Sequence, residues 1–237
     1  MEKTITKPSF REVVAVTTMN LDDSGLSFNA QRVGPMNFAG LRQADYGQGF
    51  RMPTMPELVH LVYASLENRD YSTAKNVVQT LRQNWLTGNT GILYTKKGMY
   101  VQDNPEMKDG RIIMNEKTLA ERLGSQEVKG VTFSDDLSVR FTPYGFKRES
   151  QTISELAENS GVIAFAGGEE EAEALAKSSK HYKQNPHLWA LDKQDSPQTR
   201  VAGLLSSNFV DRLDVGADDN GLYVSRYSFG VSAVPSA

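Results

Sequence analysis

Short apolar runs alternate with turn clusters along these 237 residues, and no strand–helix–strand unit repeats. That pattern excludes a doubly wound parallel sheet and leaves an α+β arrangement, in which hairpins build the sheet and a few helices cover it. Val13 to Thr18 reads as a strand, Asp22-Asp23-Ser24-Gly25 as a turn, and Leu26-Ser27-Phe28 as the start of an alternating segment. Two main helices stand in the N-terminal half. In Gly49-Phe50-Arg51-Met52-Pro53-Thr54-Met55-Pro56-Glu57, Thr54 is spaced to cap a helix and Glu57 to reach back as its N3 partner. Leu58, Leu61, Val62, Ser65 and Leu66 then share one helical face. A second helix follows Ser72, with Ala74, Val77, Val78, Leu81 and Trp85 expected on its inner side.

Gly88-Asn89-Thr90-Gly91 reads as a break, and Ile92 to Gln102 as a hairpin turning at Lys96-Lys97-Gly98. Asn115 heads a short helix over Glu116 to Leu123. Val131-Thr132-Phe133 and Leu137 to Phe141 flank Ser134-Asp135-Asp136 in a second hairpin. Thr152 and Glu155 repeat the capping-box spacing before a short helix that ends near Gly161. Val162 to Phe165 reads as a buried strand, Glu169 to Ser178 as a helix, and Leu188 to Leu191 as a strand. Arg200 to Leu205 and Leu222 to Val234 close the chain as β segments around a loop. No linker divides the sequence, so residues 1–237 are expected to form one domain, with the polar stretch His181 to Arg200 as a surface excursion.

Chemistry-bearing patterns are sparse. The chain has no cysteine, which excludes disulfides, thiolate metal sites and cysteine nucleophiles. A net charge of −3 gives no electrostatic reason to expect nucleic acid as a partner. No apolar run approaches the roughly 18 residues of a membrane span, and the start, MEKTITKPSF, has no signal-type apolar region. His60, His181 and His187 lack metal-ligand spacing. Phe165-Ala166-Gly167-Gly168, between a strand and a helix, invites a phosphate-loop reading, but Glu169, Glu170 and Glu171 would repel a phosphate. Asp214, Asp218, Asp219 and Asn220 are closely spaced oxygen donors without the late glutamate of a calcium loop. No nucleophile elbow or Ser/His/Asp set is visible, so no catalytic residue is assigned.

The unusual feature is a gap in residue usage. All 49 Glu, Lys, Gln, Met and Trp residues lie at or before Gln198, and the last 39 positions contain none where the preceding density predicts about ten. β segments disfavour Glu and Lys. Yet Asp211, Arg212, Asp214, Asp218, Asp219 and Arg226 are all retained. Codons ending in a pyrimidine cannot specify those five residues. Mutating the adenines of AAY codons reaches all the others.

On this gap the chain resembles the variable proteins of diversity-generating retroelements, of archaeal or archaeal-virus type. Two further segments support the resemblance. Gly49-Phe50-Arg51-Met52-Pro53-Thr54 with Glu57-Leu58 is similar to the start of the first helix in formylglycine-generating-enzyme-like C-type lectin domains. Arg200-Val201-Ala202-Gly203 and, after a loop, Phe229-Gly230-Val231 are similar to their closing segment. The resemblance implies a C-type lectin fold with two main N-terminal helices, small antiparallel sheets and a family-specific insertion at about 88–199. It implies a non-enzymatic protein without a cofactor, binding an unidentified protein or cell-surface ligand through a variable segment at about 200–230. Candidate ligand-binding residues are then Asn208, Phe209, Val210, Asp211, Leu213, Asp214, Asp218, Asp219, Asn220, Leu222, Tyr223, Ser225 and Tyr227. Neither nucleic-acid binding nor membrane insertion is implied, and display on a virion or cell surface would use another component. A calcium-dependent or other carbohydrate-binding lectin is the alternative. An enzyme of the formylglycine-generating group is disfavoured by the missing cysteines.

Overall fold

The computed structural model of the protein describes residues 11–13, 18–21, 23–207, 209–219 and 224–233. Strands β1 (Arg11–Val13), β2 (Thr18–Leu21) and β3 (Leu26–Met36) precede helices α1 (Phe38–Gln43), α2 (Met55–Glu67) and α3 (Ser72–Gln83). Next come the hairpin β4 (Trp85–Tyr94) and β5 (Gly98–Asp103), then the small hairpin β6 (Glu106–Lys108) and β7 (Arg111–Ile113). Helix α4 (Glu116–Arg122) leads to β8 (Leu123–Val128), β9 (Val131–Ser134), β10 (Val139–Pro143) and β11 (Glu149–Ser150). Helices α5 (Ile153–Glu158), α6 (Ser160–Ala166) and α7 (Glu169–Ser179) come before β12 (His187–Trp189), β13 (Gln198–Ser207), β14 (Arg212–Asp219) and β15 (Arg226–Ala233).

The class is α+β. Where small sheets were expected, one connected 13-stranded sheet forms beside the two-stranded β6–β7 pair. Its path runs β1-β2-β3-β15-β4-β13-β14-β12-β11, and β5, β10, β9 and β8 branch from β4. Most neighbours are antiparallel; β15 with β4 and β12 with β14 are parallel. The main core lies between one face of this sheet and α2, α3, α6 and α7. Leu58, Leu61 and Leu66 of α2 are buried there, each worth about 1.5–3 kcal/mol in removed apolar area. Among the described residues no helix is long and apolar enough to cross a membrane.

The capping box of α2 forms as the spacing predicts. The Thr54 backbone N–H donates to Glu57 Oε2 at 2.7 Å, and Arg51 clamps the same carboxylate at 2.6 and 2.9 Å. Burial opposes ionisation of Glu57, but these hydrogen bonds outweigh it and hold the carboxyl below its usual range. The helix head is also bound to the sheet. Met55 N–H donates to Thr90 Oγ1 at 2.9 Å, and Asn89 N–H to the Pro53 carbonyl at 2.6 Å. Gly88-Asn89-Thr90-Gly91 is therefore the middle of central strand β4, where a break was expected. A Cβ on Gly88 would lie 2.9 Å from Met55 N, so that glycine marks a close backbone approach, whereas one on Gly91 would meet the Met114 side chain at 2.8 Å.

Three other expectations change. Helix α3 ends at Gln83, and Trp85 opens β4 instead of extending the helix face. Val162–Phe165 is not a strand but part of α6, capped by Asn159 and buried from Gly161 to Ala166, so the sequence carries no polar stripe to reveal the helical period. The loop expected between the closing β segments contains strand β14. Of the expected strand over Val13 to Thr18, residues 14–17 lie outside the described residues, as does Asp22 of the turn that follows. Of the segment 88–199, β4 and β5 stand at the centre of the sheet. A buried ion pair ties that region together: Arg140 donates to both Asp103 oxygens at 2.6 and 3.0 Å and to the Ala164 carbonyl at 2.8 Å, while Thr90 donates to Asp103 at 2.6 Å.

Candidate ligand-recognition surface

Strand alternation divides the late hairpin into two faces. Ser206 pairs with Leu213 and Leu204 with Val215, and all four are buried toward the helices. Between them Leu205 faces Asp214 and Gly203 faces Gly216 on the opposite, outer side. Parallel β12 continues that outer side with His187 beside Asp214 and Trp189 beside Gly216.

Trp189 is 49% exposed and firmly mounted. Its Nε1 donates to Asp214 Oδ1 at 3.2 Å, and Arg212 Nε donates to the same oxygen at 2.7 Å. The His187 ring packs 4.2 Å from the indole, and the Arg212 guanidinium lies 5.8 Å from the Trp189 ring centre. Partial burial, then the Arg212 charge, lower the His187 pKa, which keeps the imidazole neutral at neutral pH. The result is an aromatic platform with a guanidinium beside it, suited to burying a contact residue and accepting few hydrogen bonds.

At the end of the hairpin, Phe209 and Val210 are exposed in the turn, where Asp211 adopts a left-handed backbone at φ 50°. Asp211 is held from below: its carbonyl accepts from Gln184 N–H at 3.1 Å and its carboxylate lies 3.6 Å from Arg82. Ser225 and Val224 are exposed ahead of β15, whereas Tyr227 is half-buried under Arg32, whose Cζ stands 4.8 Å from the ring centre. Two candidate residues do not face solvent. Leu213 is fully buried in the main core, on the inward phase of β14. Asp214 is nearly buried, with its Oδ1 engaged by Trp189 and Arg212, so it positions those side chains. Asn208, Asn220, Leu222 and Tyr223 lie outside the described residues. Asp218 and Asp219 are described only as backbone of β14.

Sequence reasoning missed Trp189, His187, Arg212 and Leu205. Arg212 and Leu205 share the alternation of Asp214 and were open to a strand reading. The contribution of β12 depends on long-range parallel pairing that leaves no local signature. The phosphate-loop reading loses its context because helix α6, not a strand, precedes Gly167, and the Glu171 carboxylate stands over Gly168. His60 sits 3.4 Å from Glu171, and His181 bridges Glu67 and Arg69 at 2.8 and 2.7 Å. Among the described residues no three His, Asp or Glu side chains group to hold a metal ion.

No family model and no curated protein matches this sequence. Among solved structures, the chain is similar to a protein from Nanoarchaeota described as accommodating massive sequence variation by the C-type lectin fold. The TM-score is 0.53 at 18% identity, over 85% of this chain and 96% of that one. Together with the α+β sheet described above, this likeness gives the chain the C-type lectin fold.

Proposed function

We propose that this is a non-enzymatic ligand-binding protein whose C-type lectin scaffold stays constant while a retroelement diversifies the segment at about 200–230. One coincidence carries the reading: the last Glu, Lys, Gln, Met or Trp is Gln198, the first residue of β13. The segment without those residues therefore begins with the late hairpin and includes its exposed turn. The similar Nanoarchaeota protein, with its massive sequence variation on the same fold, supports the reading. Leu205, Phe209, Val210, Asp211, Arg212 and Ser225 would be exchangeable contacts, and Leu204, Leu213, Val215 and Phe229 fixed core. Trp189 and His187, outside the segment, would supply a constant anchor beside the changing residues, much as rigid aromatics do in antibody loops. Affinity for a protein or cell-surface ligand would come from buried contact alone, without a cofactor.

The test is the nucleotide sequence around the gene. A near-copy of codons 200–230 beside a reverse-transcriptase gene, mismatched mainly at adenines and sparing codons 204, 213, 215 and 229, is the expected result. A locus with neither copy nor reverse transcriptase sinks the diversification reading. The half-exposed Trp189 face also suits stacking of a sugar ring, the observation that favours a carbohydrate-binding lectin. A calcium-dependent rise in Tm would favour the calcium-dependent form of that lectin.

A further inference from the structure

A second surface lies on the helical side of the late hairpin. Arg69, Lys75, Val78, Gln79, Arg82 and Gln83 line an open groove of about 340 Å³ along α3. Its floor is the largely buried Val78, and its rim carries three cations. Helix α3 itself, Ser72–Gln83, contains no acidic residue, although the whole chain carries a net charge of −3. Among the described residues no carboxylate lies within ion-pair distance of Lys75. Arg69 donates to His181 Nδ1 at 2.7 Å, and His181 Nε2 contacts Glu67 at 2.8 Å, so among the described residues Arg69 meets a carboxylate only through an imidazole. Arg82 stacks 5.6 Å from the Tyr182 ring centre and faces Asp211 at 3.6 Å, beyond hydrogen-bond length.

We propose that this groove binds an acidic, partly apolar peptide segment of a partner protein. Carboxylates would pair with Lys75 and Arg82 while an aliphatic side chain covers Val78. Asp211 limits that pairing because it already shares Arg82. The residue belongs to the C-terminal segment, so replacing it resets the charge of a groove whose other walls are fixed. The groove stands on the face of the sheet opposite Trp189, and its three cations lie outside the C-terminal segment, so only the effect of Asp211 rests on the proposed diversification.

The probe is a fluorescein-labelled ten-residue peptide alternating Glu and Leu, followed by anisotropy with the full chain. Saturable binding that Lys75→Glu weakens by about tenfold and Asp211→Asn strengthens by about threefold is the expected result. Asn tolerates the left-handed backbone at position 211, so that variant keeps the turn. Lys75 is exposed, which keeps its variant folded where Arg82→Glu would disturb Tyr182. Trp189→Ala should leave binding unchanged; loss of binding in that variant puts the peptide on the outer face and overturns the proposal. No saturation at 1 mM peptide, about the weakest affinity such a test resolves, overturns it too. So does equal competition by tripolyphosphate, which would mean an anion site only. Self-association of the chain that Lys75→Glu abolishes would replace the peptide with a second copy and also overturn it.

Discussion

The Cβ that Gly216 lacks would stand 2.6 Å from Trp189 Cβ and 2.9 Å from the Trp189 carbonyl oxygen, so the tryptophan closes directly onto the strand. Gly203, paired with Gly216, stands in a similar relation to Trp85, whose Cε3 would be 3.1 Å from its Cβ. Two facing glycines thus seat the two tryptophans of the chain on the outer side of the sheet. Gly216→Ala is expected to push Trp189 outward at a cost of about 1–3 kcal/mol. Urea denaturation measures that cost, and Trp189 emission in a Trp85→Phe background reports the displacement. Unchanged emission would mean that the platform does not depend on this contact.

Leu213 and Phe209 separate scaffold from surface within one hairpin. Leu213→Ala should destabilise the fold by about 2–5 kcal/mol through its lost core contacts. Phe209→Ala, exposed in the turn, should change stability by no more than about 0.5 kcal/mol. Equal losses in a denaturant titration would contradict the assigned inward and outward phases.

Asp103 and Arg140 meet in the interior, and removing one charge strands the other. Asp103→Ala is expected to cost about 3–5 kcal/mol. The double replacement Asp103→Leu with Arg140→Met should cost less than the single one, because it removes both desolvated charges. The pair of Tm values checks this.

Acid should weaken the turn at Asp136 and the helix cap at Glu155. Hydrogen bonds from the hydroxyls of Ser134 and Ser138, and from the Ser138 N–H, lower Asp136 from 3.8 to about 2. Lys147, then the Thr152 N–H and hydroxyl, lower Glu155 from 4.5 to about 2. A lowered folded pKa means the native state binds its protons later. The stabilisation is therefore fully present above pH 4.5 and is lost as pH falls toward 2. Both carboxylates are exposed, so solvent screening keeps the effect small. Urea midpoints should fall between pH 4.5 and 2, with a shallower fall in Asp136→Asn and Glu155→Gln. An unchanged slope in both variants would remove these groups from the acid limb.

Much of the local structure was legible. Thr54 with Glu57, Asn115, and Thr152 with Glu155 mark helix starts because capping groups satisfy backbone donors within a few residues. The turns at Lys96-Lys97-Gly98 and at Ser134-Asp135-Asp136 were legible for the same local reason. Gly88-Asn89-Thr90-Gly91 misled because the need for glycine there arises from distant residues, the Thr54–Met55 backbone at Gly88 and the Met114 and Ile112 side chains at Gly91. Val162–Phe165 misled because burial on every side erases the polar phase that separates a helix from a strand.

The gap after Gln198 is a property of the sequence alone, and it drew attention to the C-terminal segment without any structure. The sequence also determined where α2 and the main hairpins begin, since caps and turns depend on near neighbours. Only the tertiary structure decided that Leu213 points inward, that Asp214 holds Trp189 and Arg212, and that the distant β12 completes the outer face. Alternation gives a strand two faces, but which face is buried, and which strand lies beside it, is set by packing between residues far apart in the chain.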